Sequence, residues 1–206
     1  MSNDFLKIIK ELENSVYVFI DASNIWEVQK AKRKFLDFEK LKKYIIKEFN
    51  PKSLKIFYYA AYPAAGTRNY SLSGRHDFFT YLKKRLGFKI RKKELKRINI
   101  FNEEGQFVKE KGNMDVEITI DAMYHLKDYN LAILFSGDSD FLALLVHLRK
   151  NGKKIIIFSS KNSVSEELRI SGDKYLDILK DIKDDIWGKD LKHLSYDKKN
   201  HPRQRG

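Results

Sequence analysis

The chain has 206 residues, enough for one domain with a substantial core, and 42% of them are apolar. It has no cysteine, which excludes disulfides, thiolate metal sites and a cysteine nucleophile. Lysine and arginine number 41 against 28 acids, and the net charge of +13 points to an anionic partner, either nucleic acid or an acidic membrane face.

Phe5, Ile8, Ile9 and Leu12 recur at helical spacing, so an N-terminal helix is expected within residues 1–14. Acids and lysines break up its apolar residues, so no signal peptide is expected there. Val16 to Ile20 is a β-branched and aromatic run that reads as a strand buried on both faces, ending in Asp21. Asp37 opens a helical stretch through Phe38, Leu41, Tyr44, Ile45 and Phe49 that stops before Pro51. Leu54 to Ala60 is a second strand, residues 62–73 a loop, and Arg75 to Leu86 a helix closed by Gly87.

Phe88 to Arg91 starts a third strand that runs on toward Ile98, and residues 102–105 form a hairpin turn. A helix follows from about Asp115 to Leu126, and Leu131 to Phe135 is the cleanest buried strand. Phe141, Leu144, Leu145 and Leu148 mark the next helix, ended by Asn151-Gly152. Lys154 to Phe158 is another buried strand, Val164 to Ile170 a short helix, and residues 175–178 an edge strand. Strands alternate with helices, so the fold class is α/β: a three-layer α/β/α sandwich with a mainly parallel central sheet. Residues 1–187 read as one domain and 188–206 as a basic, polar C-terminal tail. No apolar run approaches the roughly 20 residues of a membrane span, so a cytoplasmic protein without a membrane partner is expected.

In open α/β sheets, ligands sit beyond the carboxyl ends of the strands. Asp21 ends the first strand, Asp138 and Asp140 follow the 131–135 strand, and Asp115 opens the helix before it. Carboxylates crowded together repel one another, and a divalent cation removes that cost. Oxygen donors suit Mg²⁺ or Mn²⁺, which take substrate phosphate oxygens as further ligands and promote phosphodiester hydrolysis. Three of the four acids also have a local explanation, and Asp140 is less easily explained that way. Asp138 or Ser139 can be a helix N-cap, Asp21 can form an Asx-turn with Ser23 or Asn24, and Asp115 can meet a helix dipole. All four on one sheet edge favour the metal reading.

Three ordered motifs carry a family resemblance. Val18-Phe19-Ile20-Asp21-Ala22-Ser23-Asn24-Ile25 is similar to a first-strand "FIDxxN" pattern. Lys111-Gly112-Asn113-Met114-Asp115-Val116 through Asp121 is similar to "KGxDVxLxxD", with one extra residue before Asp115. Ser136-Gly137-Asp138-Ser139-Asp140-Phe141 is similar to "SGDSDF". Over about residues 15–180 the chain resembles the NYN domain family of PIN-like nucleases, which includes the LabA-like proteins.

The resemblance implies metal-dependent cleavage of RNA, endonucleolytic by expectation. By position, it assigns metal binding and catalysis to Asp21, Asp115, Asp138 and Asp140. It assigns to Asn24 the orientation of Asp21 or contact with substrate, and to Ser136 a part in shaping the site. Asp121 also matches a family acid. It lies six residues beyond Asp115, about 240° round the helix, which suits a pairing with a base better than a place on the metal.

The positive charge is concentrated. Residues 83–97 hold nine bases and one acid, a local balance of +8, and the tail from Lys189 adds +4. Lys89, Arg91, Lys92, Lys93 and Lys111 are the expected phosphate contacts for RNA, single-stranded or structured. An ordinary solvated strand face is the competing reading. Tyr62, Tyr70 and Trp26 are the aromatics best placed to stack on unpaired bases, whereas Phe57 suits the core. A homodimer is also allowed for. Two other functions compete with the nuclease: an RNA-binding regulatory module that kept the fold without catalysis, and a phosphatase of the haloacid dehalogenase type. The second needs an acid two residues after its nucleophile, where this chain has Ser23.

Overall fold

The computed structural model describes residues 9, 14–64, 67, 73–102, 105–182 and 186–191. The expected N-terminal helix, apart from Ile9, lies outside these residues, as do Tyr70, the hairpin tip at 103–104 and the tail from 192 onward.

Six parallel strands form the central sheet: β1 (Ser15–Asp21), β3 (Ser53–Tyr62), β4 (Lys89–Glu94), β7 (Leu131–Phe135), β8 (Lys154–Ser159) and β9 (Lys174–Asp177). Their spatial order is β4-β3-β1-β7-β8-β9. Counted along the chain, the winding runs outward from β1 in one direction and then restarts at β7 in the other. The strand order therefore reverses between β1 and β7, which is where open α/β sheets bind ligands.

Side chains alternate across a strand, and here both faces are covered. Val16, Val18 and Ile20 of β1 join Ile133, Phe135, Ile156 and Phe158 in one core layer. Tyr17 and Phe19 join Phe57, Leu134, Ile155 and Ile157 in the other. The first layer is closed by α1 (Ala22–Lys32), α2 (Phe38–Phe49) and α3 (Ser73–Thr80), the last continuing into a wide helical turn at Tyr81–Arg85. The second is closed by α4 (Asp115–Tyr124), α5 (Leu142–Lys150) and α6 (Glu166–Ser171). Full burial of each large apolar side chain contributes roughly 1.5–3 kcal/mol. The three-layer α/β/α architecture expected from the sequence is the one observed.

Several details differ from the expectation. Helix α1 follows Asp21 directly and was not anticipated, because only Ile25, Val28 and Gln29 of its residues are buried. A small antiparallel ribbon pairs β2 (Lys34–Leu36) with β10 (Trp187–Asp190), so ordered structure continues past residue 187. The third strand does not run on to Ile98. It breaks at Leu95, whose N–H donates to the Tyr62 carbonyl at 2.8 Å. Beyond the break, β5 (Lys96–Asn102) and β6 (Gly105–Lys111) form a separate antiparallel hairpin. Among the described residues, no helix is long and apolar enough to cross a membrane.

Candidate metal centre

The carboxyl ends of β1 and β7 deliver the site. Asp21 is the last residue of β1 and also the N-cap of α1. Its Oδ1 accepts from the Ser23 N–H at 2.9 Å and from the Ser23 hydroxyl at 2.7 Å. Its Oδ2 accepts from the Ser136 hydroxyl at 3.2 Å, and Ser136 Oγ in turn accepts from the Asp138 N–H at 3.3 Å. Ser136 therefore ties the ends of the two strands at the switch point together. Asp21 and Ser136 are both buried.

Asp138 is the N-cap of a short turn at Ser139–Phe141, and its Oδ1 accepts from the Asp140 N–H at 3.0 Å. The cap engages one oxygen and leaves the other as a donor, so the capping and metal readings hold together. Gly137 permits the bend. A Cβ at this position would lie 2.1 Å from the Ser163 carbonyl oxygen and 2.7 Å from Ser159 Oγ, so only glycine fits without moving backbone.

Asp115 opens α4 on the facing side, and the Asn113 side-chain amide donates to its Oδ2. One ligand oxygen each from Asp115, Asp138 and Asp140 lies within 4.8 Å of the others. Burial raises the Asp115 carboxyl to about 6, with the charges of Asp138, Asp21 and Asp140 adding to the rise and Lys93 opposing it. The rise is chiefly an effect of burial, to which the neighbouring aspartates add. Hard oxygen donors grouped in this way could hold a divalent cation.

The structure thus brings three of the four expected acids into one cluster. Asp21 stands beneath it, near enough to act on Asp115 through its charge, with its oxygens held by serines. Asn24 does not bond to Asp21; its Oδ1 accepts from the Ser159 hydroxyl at 3.2 Å, at the end of β8. Asn24, Asp21, Gly137 and Asp138 share a polar groove of about 520 Å³. Asn113 was not anticipated. It falls in the stretch that carries the extra residue before Asp115, and that irregularity was its only sequence signal.

Asp121 faces away from the cluster. It is 8% exposed and holds Arg91 by both oxygens, from Nε at 2.8 Å and Nη2 at 3.1 Å, while the Tyr59 hydroxyl donates at 3.0 Å. Lys93 donates to both Glu117 oxygens at 2.7 and 2.9 Å. Two of the five expected phosphate contacts are therefore committed to acids of α4. Lys89, Lys92 and Lys111 are exposed, and Lys92 Nζ lies over the rings of Phe79 and Tyr62 at 5.5 and 5.8 Å.

A second, larger cleft of about 770 Å³ lies beside the cluster, lined in part by Asp21 and by Asn113, the residue that bonds to Asp115. Its walls include Trp26, Tyr58, Tyr62, Phe79 and Arg75. Burial, with the Asp21 charge adding, pushes the Tyr58 hydroxyl up, so it stays protonated.

Comparison with known proteins agrees with this architecture. The NYN domain model matches residues 15–179. The low amplitude and bright protein LabA of Synechococcus elongatus is 28% identical over 161 residues, covering 78% of this chain and 82% of that protein. A crystal structure of a Vibrio parahaemolyticus protein of unknown function superposes with a TM-score of 0.64 at 22% identity, over 86% of this chain and 98% of that one. The last likeness is one of fold.

Proposed function

The chain belongs to the NYN domain family, with its PIN-like nuclease fold, and from that premise we propose that it is a metal-dependent ribonuclease, acting as an endonuclease in the cytoplasm. The observation that carries the proposal is the convergence of Asp115, Asp138 and Asp140 at the point where the strand order reverses.

In this reading Asp115, Asp138 and Asp140 hold Mg²⁺ or Mn²⁺. The bound ion supplies a more acidic water and offsets charge on the phosphate and its leaving oxygen. The chain's own residues do the positioning. Asp138 and Asp140 are locked together by the turn they cap, and Asn113 sets the orientation of Asp115. Asp21, fixed by Ser23 and Ser136, adds negative charge beneath the cluster and strengthens its hold on a cation. Asn24 faces the same groove as Asp138 and can contact the strand. Lys89, Lys92 and Lys111 contact phosphates, and the charge they bring makes binding salt-dependent.

The test is cleavage of a labelled RNA by the purified chain with Mn²⁺ or Mg²⁺. Cleavage that is lost with EDTA and lost again in Asp138→Asn supports the reading. Salt-dependent binding without turnover would instead favour a non-catalytic RNA-binding module.

A further inference from the structure

The aromatic cleft contains none of the three clustered acids, yet its lining includes Asp21, whose charge acts on Asp115, and Asn113, whose side chain bonds to Asp115. Its volume, about 770 Å³, lies within the roughly 300–1,000 Å³ range of small-molecule pockets. Tyr62 and Phe79 meet edge to face, with ring centroids 6.5 Å apart, and Trp26 keeps 36% of its surface exposed at the rim. The cleft also holds an unusual polar group. Arg75 Nη1 is buried and has no hydrogen-bond partner among the described residues. Buried donors are nearly always satisfied, so among the described residues this one stands out as a donor still open to an acceptor. Lys92, exposed on β4, lies over the Phe79 and Tyr62 rings and so stands behind two residues of the cleft without lining it.

Partly exposed aromatic rings of Tyr62 and Trp26, a guanidinium donor with no partner among the described residues and an acidic cluster next door match one kind of occupant. We propose that the cleft seats a single unpaired nucleobase of the bound strand. The base lies against the Tyr62 and Phe79 wall and accepts a hydrogen bond on its edge from Arg75. Lys92 meets a flanking phosphate, and the adjoining phosphodiester reaches the acidic cluster. A base inside a duplex cannot enter, so the site selects single-stranded or unpaired segments. This deepens the ribonuclease reading and rests on it for the strand being RNA.

Binding is measured in EDTA, so that no strand is cut. The probe is a short strand of abasic residues carrying one central fluorescent adenine analogue, compared with the same strand bearing no base. The full chain should bind the strand with the base about tenfold more tightly, with the emission quenched by stacking. Tyr62→Ala and Arg75→Met should each remove most of that difference and leave the affinity for the baseless strand unchanged. Arg75→Lys, which keeps the charge but loses the planar fork, should behave like Arg75→Met. Equal affinity of the unmodified chain for the two strands would overturn the proposal without reliance on any variant. So would unquenched emission.

Cleavage of an ordinary RNA in Mn²⁺ separates the two claims. Base-dependent binding without any cleavage would refute the ribonuclease reading and leave the pocket standing. Cleavage with binding indifferent to the base would refute the pocket alone.

Discussion

Replacing Asp115 with asparagine should make the metal-free protein more stable, although it removes a residue assigned to the metal. The Asp115 carboxyl is raised from 3.8 to about 6 by burial and by three neighbouring aspartates. A rise of about two units at 1.36 kcal/mol each sets an upper limit near 3 kcal/mol, and solvent screening of this half-exposed group reduces it to about 1–2 kcal/mol. The sign follows from proton linkage. The folded state binds this proton between about pH 4 and 6, where the unfolded chain has already lost it, so ionised Asp115 costs stability above about pH 6 and nothing below about pH 4.

Asp115→Asn removes that cost and keeps an amide oxygen to accept from Asn113. Urea unfolding in EDTA should show the variant more stable by about 1–2 kcal/mol near pH 7.5, with the advantage fading toward pH 4. Added Mn²⁺ should reverse the order, because only the parent chain gains the full binding free energy. A variant less stable than the parent in EDTA near pH 7.5 would refute the claim that burial and the neighbouring aspartates make ionised Asp115 costly. An advantage unchanged near pH 4 would refute its assignment to the ionised form.

Gly137→Ala should cost about 2–3 kcal/mol in thermal unfolding and abolish cleavage, because its Cβ drives against the Ser163 carbonyl. Asp121→Ala should cost about 1–3 kcal/mol, chiefly by leaving the buried Tyr59 hydroxyl without its acceptor, yet leave cleavage by the folded fraction intact. Removing Lys89 and Lys111 together should lower the salt dependence of single-strand RNA binding by about 1.4 in slope, measured by titration across salt concentrations.

The strands of the central sheet were legible because burial on both faces writes them as unbroken apolar runs. Val16 to Ile20, Leu131 to Phe135 and Ile155 to Phe158 are the clearest. The acids were legible because they stand at the ends of those runs. Helix α1 was not, since its buried face is three residues, one of them Gln29, whose side chain accepts from the Leu36 N–H at 2.8 Å. The β2–β10 ribbon joins two very short segments from opposite ends of the domain, a pairing that leaves no local periodicity.

Side-chain partnerships across elements were harder to read. Residues 83–97 looked like a continuous phosphate-binding stretch, but Arg91 and Lys93 point at Asp121 and Glu117 of α4. Charge counted along the chain cannot register that cancellation. Nor can it distinguish Asp21 from the three acids it supports, because all four occupy strand ends or helix starts. Arg75 carried no signal at all: only the folded cleft reveals a guanidinium nitrogen without a partner among the described residues.

The central claim is a divalent-metal centre built by Asp115, Asp138 and Asp140 over Asp21. The most direct measurement is an anomalous difference map from crystals of the full chain soaked in Mn²⁺. A peak bonded to oxygens of Asp115, Asp138 and Asp140, at the carboxyl ends of β1 and β7, is expected, and it should disappear in Asp138→Asn. A peak held by other residues, or none at a concentration that supports cleavage, would contradict it.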